Sequence, residues 1–148
     1  MPRIERTAHV GWDGNVARGA GSIDAGTGAF SGLPFSLATR IGQPEGKTSP
    51  EELLAAAHGG CFAMSLAGEL TGAGTPPGRL DVTCTIVMDE VEGQGHQIVG
   101  SHVEVEARLD GVGDAALQAA VERADEGCPF SALLKRAGAD VQVEARLA

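Results

Sequence analysis

The chain contains no tyrosine, and one Trp and four Phe bring its aromatic content to only 3% of 148 residues. Small aliphatic side chains must therefore fill whatever core it builds. Cations are scarce as well: 11 Lys and Arg against 20 Asp and Glu leave a net charge of -9. That balance excludes the basic patches on which nucleic acids and anionic membranes dock. No run reaches the roughly 18 to 20 uninterrupted apolar residues of a membrane span, and the first residues, Met1 to Thr7, lack the apolar stretch of a secretion signal. The expectation is a soluble, cytoplasmic protein. Cysteines number three. A reducing compartment disfavours structural disulfides, so these point to working or buried thiols. No phosphate loop, dinucleotide fingerprint or metal-ligand spacing is present, so no cofactor and no metal are expected. There is no internal repeat, low-complexity segment or linker, which makes residues 1–148 one domain or one protomer of a tight oligomer.

What is present in quantity is apolar and small: 43% hydrophobic residues and 22 glycines. The apolar content concentrates in residues 48–73. Ser49 can cap a helix, Pro50 suits its first position, and Glu52 completes a Ser-x-x-Glu capping box. From there to the stop at Gly72-Ala73-Gly74 only Glu69 is charged. A helix with so little polar surface is expected to be buried on most sides. Cys61 sits near its middle, preceded by Gly59 and Gly60.

Before this helix, residues 4–12 and Val16 to Ile23 read as strands around an Asp13-Gly14-Asn15 turn. Glycines 19 and 21 suggest a bent or close-packed strand, and Phe35 to Thr39 reads as a third short strand. After the helix the period changes to two. Leu80, Val82, Cys84, Ile86 and Met88 share one strand face; past Gly93-Gln94-Gly95, Val103, Val105, Ala107 and Leu109 share another. Two half-buried antiparallel strands fit. A helix is expected over about Asp114 to Glu126, with Leu117, Ala120, Val121 and Ala124 on one stripe and Gly127 at its end. A short helix from Cys128-Pro129 to about Ala137 follows, then a last strand through Val141, Val143, Ala145 and Leu147.

The thiols differ in setting. Cys84, on the apolar face of a strand, reads as a small buried hydrophobe. Cys128 is an N-cap if Pro129 opens a helix, where unpaired N–H groups and the dipole favour a thiolate; Gly-Cys-Pro-Phe-Ser is equally readable as a tight turn. Cys61, mid-helix, gains little from the dipole and alone reads as a core residue. A nearby positive charge would change that, and Arg40 and Lys47 precede the helix while Glu51 and Glu52 begin it. Glu51 and Cys61 are ten residues apart, about 15 Å along a continuous helix. One arginine can hardly bridge both within a chain. Two helices packed antiparallel about Ala56 would set Glu51 of one beside Cys61 of the other, with Ala55, Ala56, Ala57, Gly59 and Gly60 allowing close approach. The expectation is a symmetric dimer with a reactive thiol at its interface.

The stretch Thr48-Ser-Pro-Glu-Glu-Leu-Leu-Ala-Ala-Ala-His58-Gly-Gly-Cys61-Phe-Ala-Met-Ser, followed by Gly127-Cys128-Pro129-Phe-Ser131, resembles the OsmC/Ohr family of bacterial thiol peroxidases. The resemblance spans essentially the whole chain, and Ala-Thr-Arg40 with His58 favours the OsmC branch. It implies an α+β fold: an intertwined homodimer with antiparallel sheets wrapped around long central helices. It also implies reduction of organic hydroperoxides, with hydrogen peroxide second. Cys61 would be the peroxidatic thiol and Cys128 its resolving partner, the resulting disulfide being reduced by an external dithiol such as a lipoyl-bearing protein. Arg40 matches the arginine that stabilises the thiolate and Glu51 the glutamate that holds it, with Arg18 the second candidate for the cation. An arginine forked between thiolate and carboxylate is physically coherent, because it is always charged and planar. Phe62, Met64 and Phe130 are the candidate walls of an apolar substrate pocket. His58 reads as a packed or hydrogen-bonding histidine, and His58 with Cys61 supplies only two of the ligands a zinc site needs.

Two other readings stay open. A long helix wrapped by antiparallel strands also describes hotdog-type acyl thioesterases, which need no cysteine; a stress-induced, non-catalytic scaffold protein is the other. Replacing Cys61 by Ala separates the enzymes, since thioester turnover would survive and peroxide turnover would not.

Overall fold

The computed structural model describes residues 2–148. Contacts divide it into two compact units, one up to Pro50 and one from Glu51 to Ala148. In the first, strands β1 (Ala8–Asp13), β2 (Ala20–Ala25) and β3 (Leu33–Phe35) form an antiparallel sheet in the order β1-β2-β3. The expected close packing at the glycines is present. A Cβ on Gly21 would lie 2.3 Å from the Phe35 ring, so only glycine lets that ring cross β2, and Trp12 packs on it at 5.5 Å between centroids.

The expected strand over Phe35 to Thr39 is a correction. The sheet ends at Phe35, and α1 (Leu37–Ile41) begins after Ser36. The Ser36 side chain accepts from the Thr39 N–H and shares a 2.7 Å hydrogen bond with the Thr39 hydroxyl. That local cap outcompetes the β preference of Phe and Thr.

In the second unit, α2 (Pro50–Gly72) is the long helix, with Pro50 at its first position as expected. It ends where Gly74 takes a φ of 80°, and the Thr75 N–H returns to the Leu70 carbonyl at 2.9 Å. Strands β4 (Arg79–Val91) and β5 (Gly95–Arg108) make the expected antiparallel hairpin. Helices α3 (Asp114–Gly127) and α4 (Pro129–Arg136) follow, then β6 (Asp140–Leu147). The sheet order is β4-β5-β6, and β6 runs parallel to β5. This is the one departure from antiparallel pairing, imposed because α3 and α4 form a crossover rather than a hairpin.

Phe62, Leu66 and Leu70 of α2 join Val103, Val105 and Ala107 of β5 and Leu117, Ala120, Val121 and Ala124 of α3 in one buried cluster. Glu69, the one charge of α2 beyond its first turn, reaches Arg123 of α3 at 2.9 Å. The helix is nevertheless not buried on most sides, as its sequence led one to expect. Only His58, Gly59, Phe62, Leu66 and Leu70 are buried. Ala56, Gly60, Met64 and Gly68, spaced four apart and so on one face, are exposed. The helix is long and apolar enough to cross a bilayer by length and composition only (mean hydropathy 1.3), a test that core helices of soluble proteins also pass, and 28% of that window is covered within the chain.

Candidate active site

Two thiols remote in sequence meet at the start of α4. Cys128 holds the N-cap position, with Pro129 opening the helix, and is wholly buried among the core residues. Its side chain caps none of its own helix's N–H groups. Cys61, half-buried on α2, packs against the same cluster. Cys128 is thereby a neighbour of Cys61, and the Phe130 backbone N–H and the Ser65 hydroxyl also act on its sulfur. Burial pushes the Cys61 thiol up from its ordinary range, and the neighbouring Cys128 adds to this; the Phe130 N–H and Ser65 partly oppose it by favouring the thiolate.

One turn earlier on α2, His58 is fully buried between two serines. Its Nδ1 is hydrogen-bonded to Ser101 Oγ on β5 at 2.6 Å and its Nε2 to Ser131 Oγ on α4 at 2.8 Å. Both serines are themselves fully buried. Cys84 Sγ stands 3.4 Å from Ser101 Oγ and 3.8 Å from His58 Nδ1. Burial pushes the imidazole's pKa down; the Asp125 carboxylate partly offsets that, and Lys135 reinforces it. The ring is thus neutral, one nitrogen donating and the other accepting, which two hydroxyls can satisfy in either tautomer. Gly59 makes this possible, for a Cβ there would stand 3.2 Å from Cys84 Cβ and hold α2 away from β4.

The other expected site residues fall as follows. Glu51 lies in the first turn of α2, half-buried. Arg40 is in the last turn of α1 and exposed. Arg18 is exposed in the β1–β2 connection, its backbone N–H bonded to Asn15 Oδ1 at 2.9 Å. Phe130 stands at the thiols, half-buried. Phe62 is fully buried in the core, and Met64 is 73% exposed on the uncovered face of α2. Phe62 shares the buried cluster with Cys128, and Phe130 packs against that cluster beside Cys61. Sequence reasoning missed Ser65, Ser101 and Ser131 and treated Cys84 as inert filling. A signal existed for Ser101, which is in phase with the inward-facing Val103, Val105 and Ala107. Ser131 was already visible in the Cys-Pro-Phe-Ser run.

A family model described as OsmC-like protein matches residues 42–144. The curated Peroxiredoxin OsmC of Escherichia coli (strain K12) is 32% identical over 132 residues, covering 89% of this chain and 91% of its own length; that of Shigella flexneri gives the same figures. Among solved structures, the organic hydroperoxide resistance protein OhrB of Bacillus subtilis superposes with a TM-score of 0.74 at 24% identity, over 95% of this chain and 98% of that one. An OsmC-like protein of unknown function from Vibrio cholerae reaches a TM-score of 0.78 at 14% identity, over 97% and 100%. With both motif cysteines, the long α2 and the β4–β5 hairpin inside the matched region, the chain belongs to the OsmC-like family.

Proposed function

We propose that this chain is a cysteine-dependent peroxidase that reduces organic hydroperoxides and works as a homodimer. The observation that carries the reading is the packing of Cys61 against the buried cluster that holds Cys128, the two thiols acting on one another. The printed names of its relatives, a peroxiredoxin and an organic hydroperoxide resistance protein, support the same chemistry. The Cys61 thiolate attacks the outer peroxide oxygen; the O–O bond breaks, leaving a sulfenic acid and an alkoxide that takes a proton to become the alcohol. The Cys128 sulfur then attacks the sulfenic sulfur, forming the disulfide and expelling water. An external dithiol, such as a lipoyl group on a partner protein, returns both thiols and is itself oxidised.

Burial opposes the Cys61 thiolate, and a cation beside it would favour the charged form. Arg40 supplies it in this reading, held by Glu51, with Arg18 as the second candidate. The uncovered face of α2 supports a dimer: Ala56, Gly60 and Met64 are apolar and exposed, and a second α2 packed antiparallel about Ala56 would cover them. The same packing sets Glu51 of one protomer near Cys61 of the other.

The test is intact mass after one equivalent of an organic hydroperoxide. Loss of two hydrogens, mapped to a Cys61–Cys128 bridge, is expected. Overoxidation of Cys61 without a bridge would refute Cys128 as the resolving thiol. Arg40→Ala is expected to slow Cys61 oxidation far more than Arg18→Ala, and the reverse order would transfer the role to Arg18.

A further inference from the structure

The two cysteines are not the only link between α2 and α4. His58 precedes Cys61 by three residues on α2, and Ser131 follows Cys128 by three. Residues three apart lie on neighbouring positions of one helical face, about 4.5 Å apart along the axis. The contacts His58–Ser131 and Cys61–Cys128 therefore form two adjacent rungs, 58 with 131 and 61 with 128, between segments running in opposite senses. One rung is reactive. The other is a 2.8 Å hydrogen bond between two fully buried groups.

The reactive rung is held by core packing and, on the backbone, by the Ala132 N–H donating to the Cys128 carbonyl at 3.0 Å. Cys128 occupies a cap position with extended backbone angles (φ -79°, ψ 114°), and its side chain makes no capping bond. The second rung is anchored at both ends. Ser131 belongs to the first turn of α4, and His58 is itself fixed on its far side by the 2.6 Å bond to Ser101 on β5. A chain of buried hydrogen bonds thus runs from the central strand through α2 to the helix that carries Cys128.

We propose that His58 is a positioning residue for disulfide formation: through Ser131 it holds the first turn of α4, and with it Cys128, against Cys61. The sulfenic acid of Cys61 then meets a sulfur already in place, and resolution outruns further oxidation by a second peroxide. Its kinetic consequence rests on the peroxidase reading above, whereas the geometric one does not.

Two measurements separate them. In the first, the reduced chain is equilibrated with glutathione and its disulfide, so that protein dithiol and oxidised glutathione exchange for protein disulfide and two reduced glutathiones. The equilibrium constant reports how well the two sulfurs are pre-positioned, without any peroxide. In the second, single-turnover oxidation by an organic hydroperoxide is followed with dimedone trapping of the sulfenic acid, giving the ratio of resolution rate to sulfenic acid formation rate. Misplacement by about 1 Å can cost about a hundredfold in rate, so Ser131→Ala is expected to lower the rate ratio at least tenfold, and the equilibrium constant falls with it because the two sulfurs lose effective concentration.

The His58 variants remove the ambiguity of general damage. His58→Gln carries its amide nitrogen where Nε2 was and keeps the bond to Ser131; His58→Asn reaches only toward Ser101. His58→Gln is expected to stay within threefold of the parent in both quantities, and His58→Asn to fall as Ser131→Ala does. A purely structural role would make the two amides alike. Equal values for Gln and Asn, or a folded Ser131→Ala with both quantities unchanged, would overturn the proposal. Should Ser131→Ala fail to fold, the Gln and Asn pair decides alone. If the parent forms neither sulfenic acid nor disulfide with peroxide while the glutathione equilibrium still separates Gln from Asn, the peroxidase reading falls and the positioning role stands.

Discussion

Ser131→Ala also tests how much the buried polar trio contributes to stability. The variant deletes one oxygen and leaves His58 Nε2, which is fully buried, without its 2.8 Å partner. The void is smaller than a methylene's, so the cavity contribution is minor beside the cost of an unpaired buried nitrogen. That cost is about 1–3 kcal/mol. At about 2 kcal/mol, a chain of this length should melt about 4–8 °C lower. Ser101→Ala breaks a shorter bond, 2.6 Å, but there Cys84 Sγ remains 3.8 Å from His58 Nδ1 as a weak substitute. Its loss should therefore fall at the lower end of the same range. The assay is urea unfolding and calorimetry of the fully reduced chain at one fixed concentration, since dimerisation would couple stability to concentration. Ser131→Ala within about 0.5 kcal/mol of the parent, the ordinary span of neutral surface changes, would refute the reasoning. So would a larger loss for Ser101→Ala than for Ser131→Ala.

Acid should act on the same trio. Burial lowers the His58 pKa in the folded chain, so below about pH 6.5 the unfolded chain gains a proton that the folded one refuses. This contribution to stability is complete above that pH and declines as pH falls toward the folded value; His58→Gln should flatten the decline in a pH series of unfolding midpoints. Ala56→Glu would set two carboxylates face to face at the centre of the proposed helix pair, and sedimentation should find a monomer with slowed Cys61 oxidation; an unchanged dimer would contradict the antiparallel packing about Ala56. Gly59→Ala and Gly68→Ala gain similar helix propensity, about 1 kcal/mol. Only Gly59 faces a wall, with Cys84 Cβ at 3.2 Å and nothing within 4 Å of Gly68, so Gly68→Ala should stabilise and Gly59→Ala should be lower by about 1–3 kcal/mol, read as the difference in unfolding free energy.

Where local rules dominate, the chain's reading and its structure agree. The proline at the head of α2, the glycine-rich stop after it and the two-residue period of β4 and β5 act over a few residues, and no distant contact overrides them. The failures share a cause. Phe35 to Thr39 has strand-like composition, but a side-chain cap from Ser36 decides for helix α1. The direction of β6 is written in no residue of β6; it follows from the α3–α4 crossover bringing the chain back alongside β5. The surroundings of α2 were misjudged because an apolar helix does not say who covers it, and this chain covers one face only.

The sequence by itself determined the long helix, through its spacing and composition, and the family with its α+β class, through the resemblance carried by the two cysteine motifs. Tertiary structure alone decided that Cys61 packs against the buried cluster that holds Cys128. It alone joined His58 to Ser101 and Ser131. Those pairings link three elements far apart in the chain, and their partners are chosen by how β5, α2 and α4 pack; no local pattern in any one of them encodes the other two.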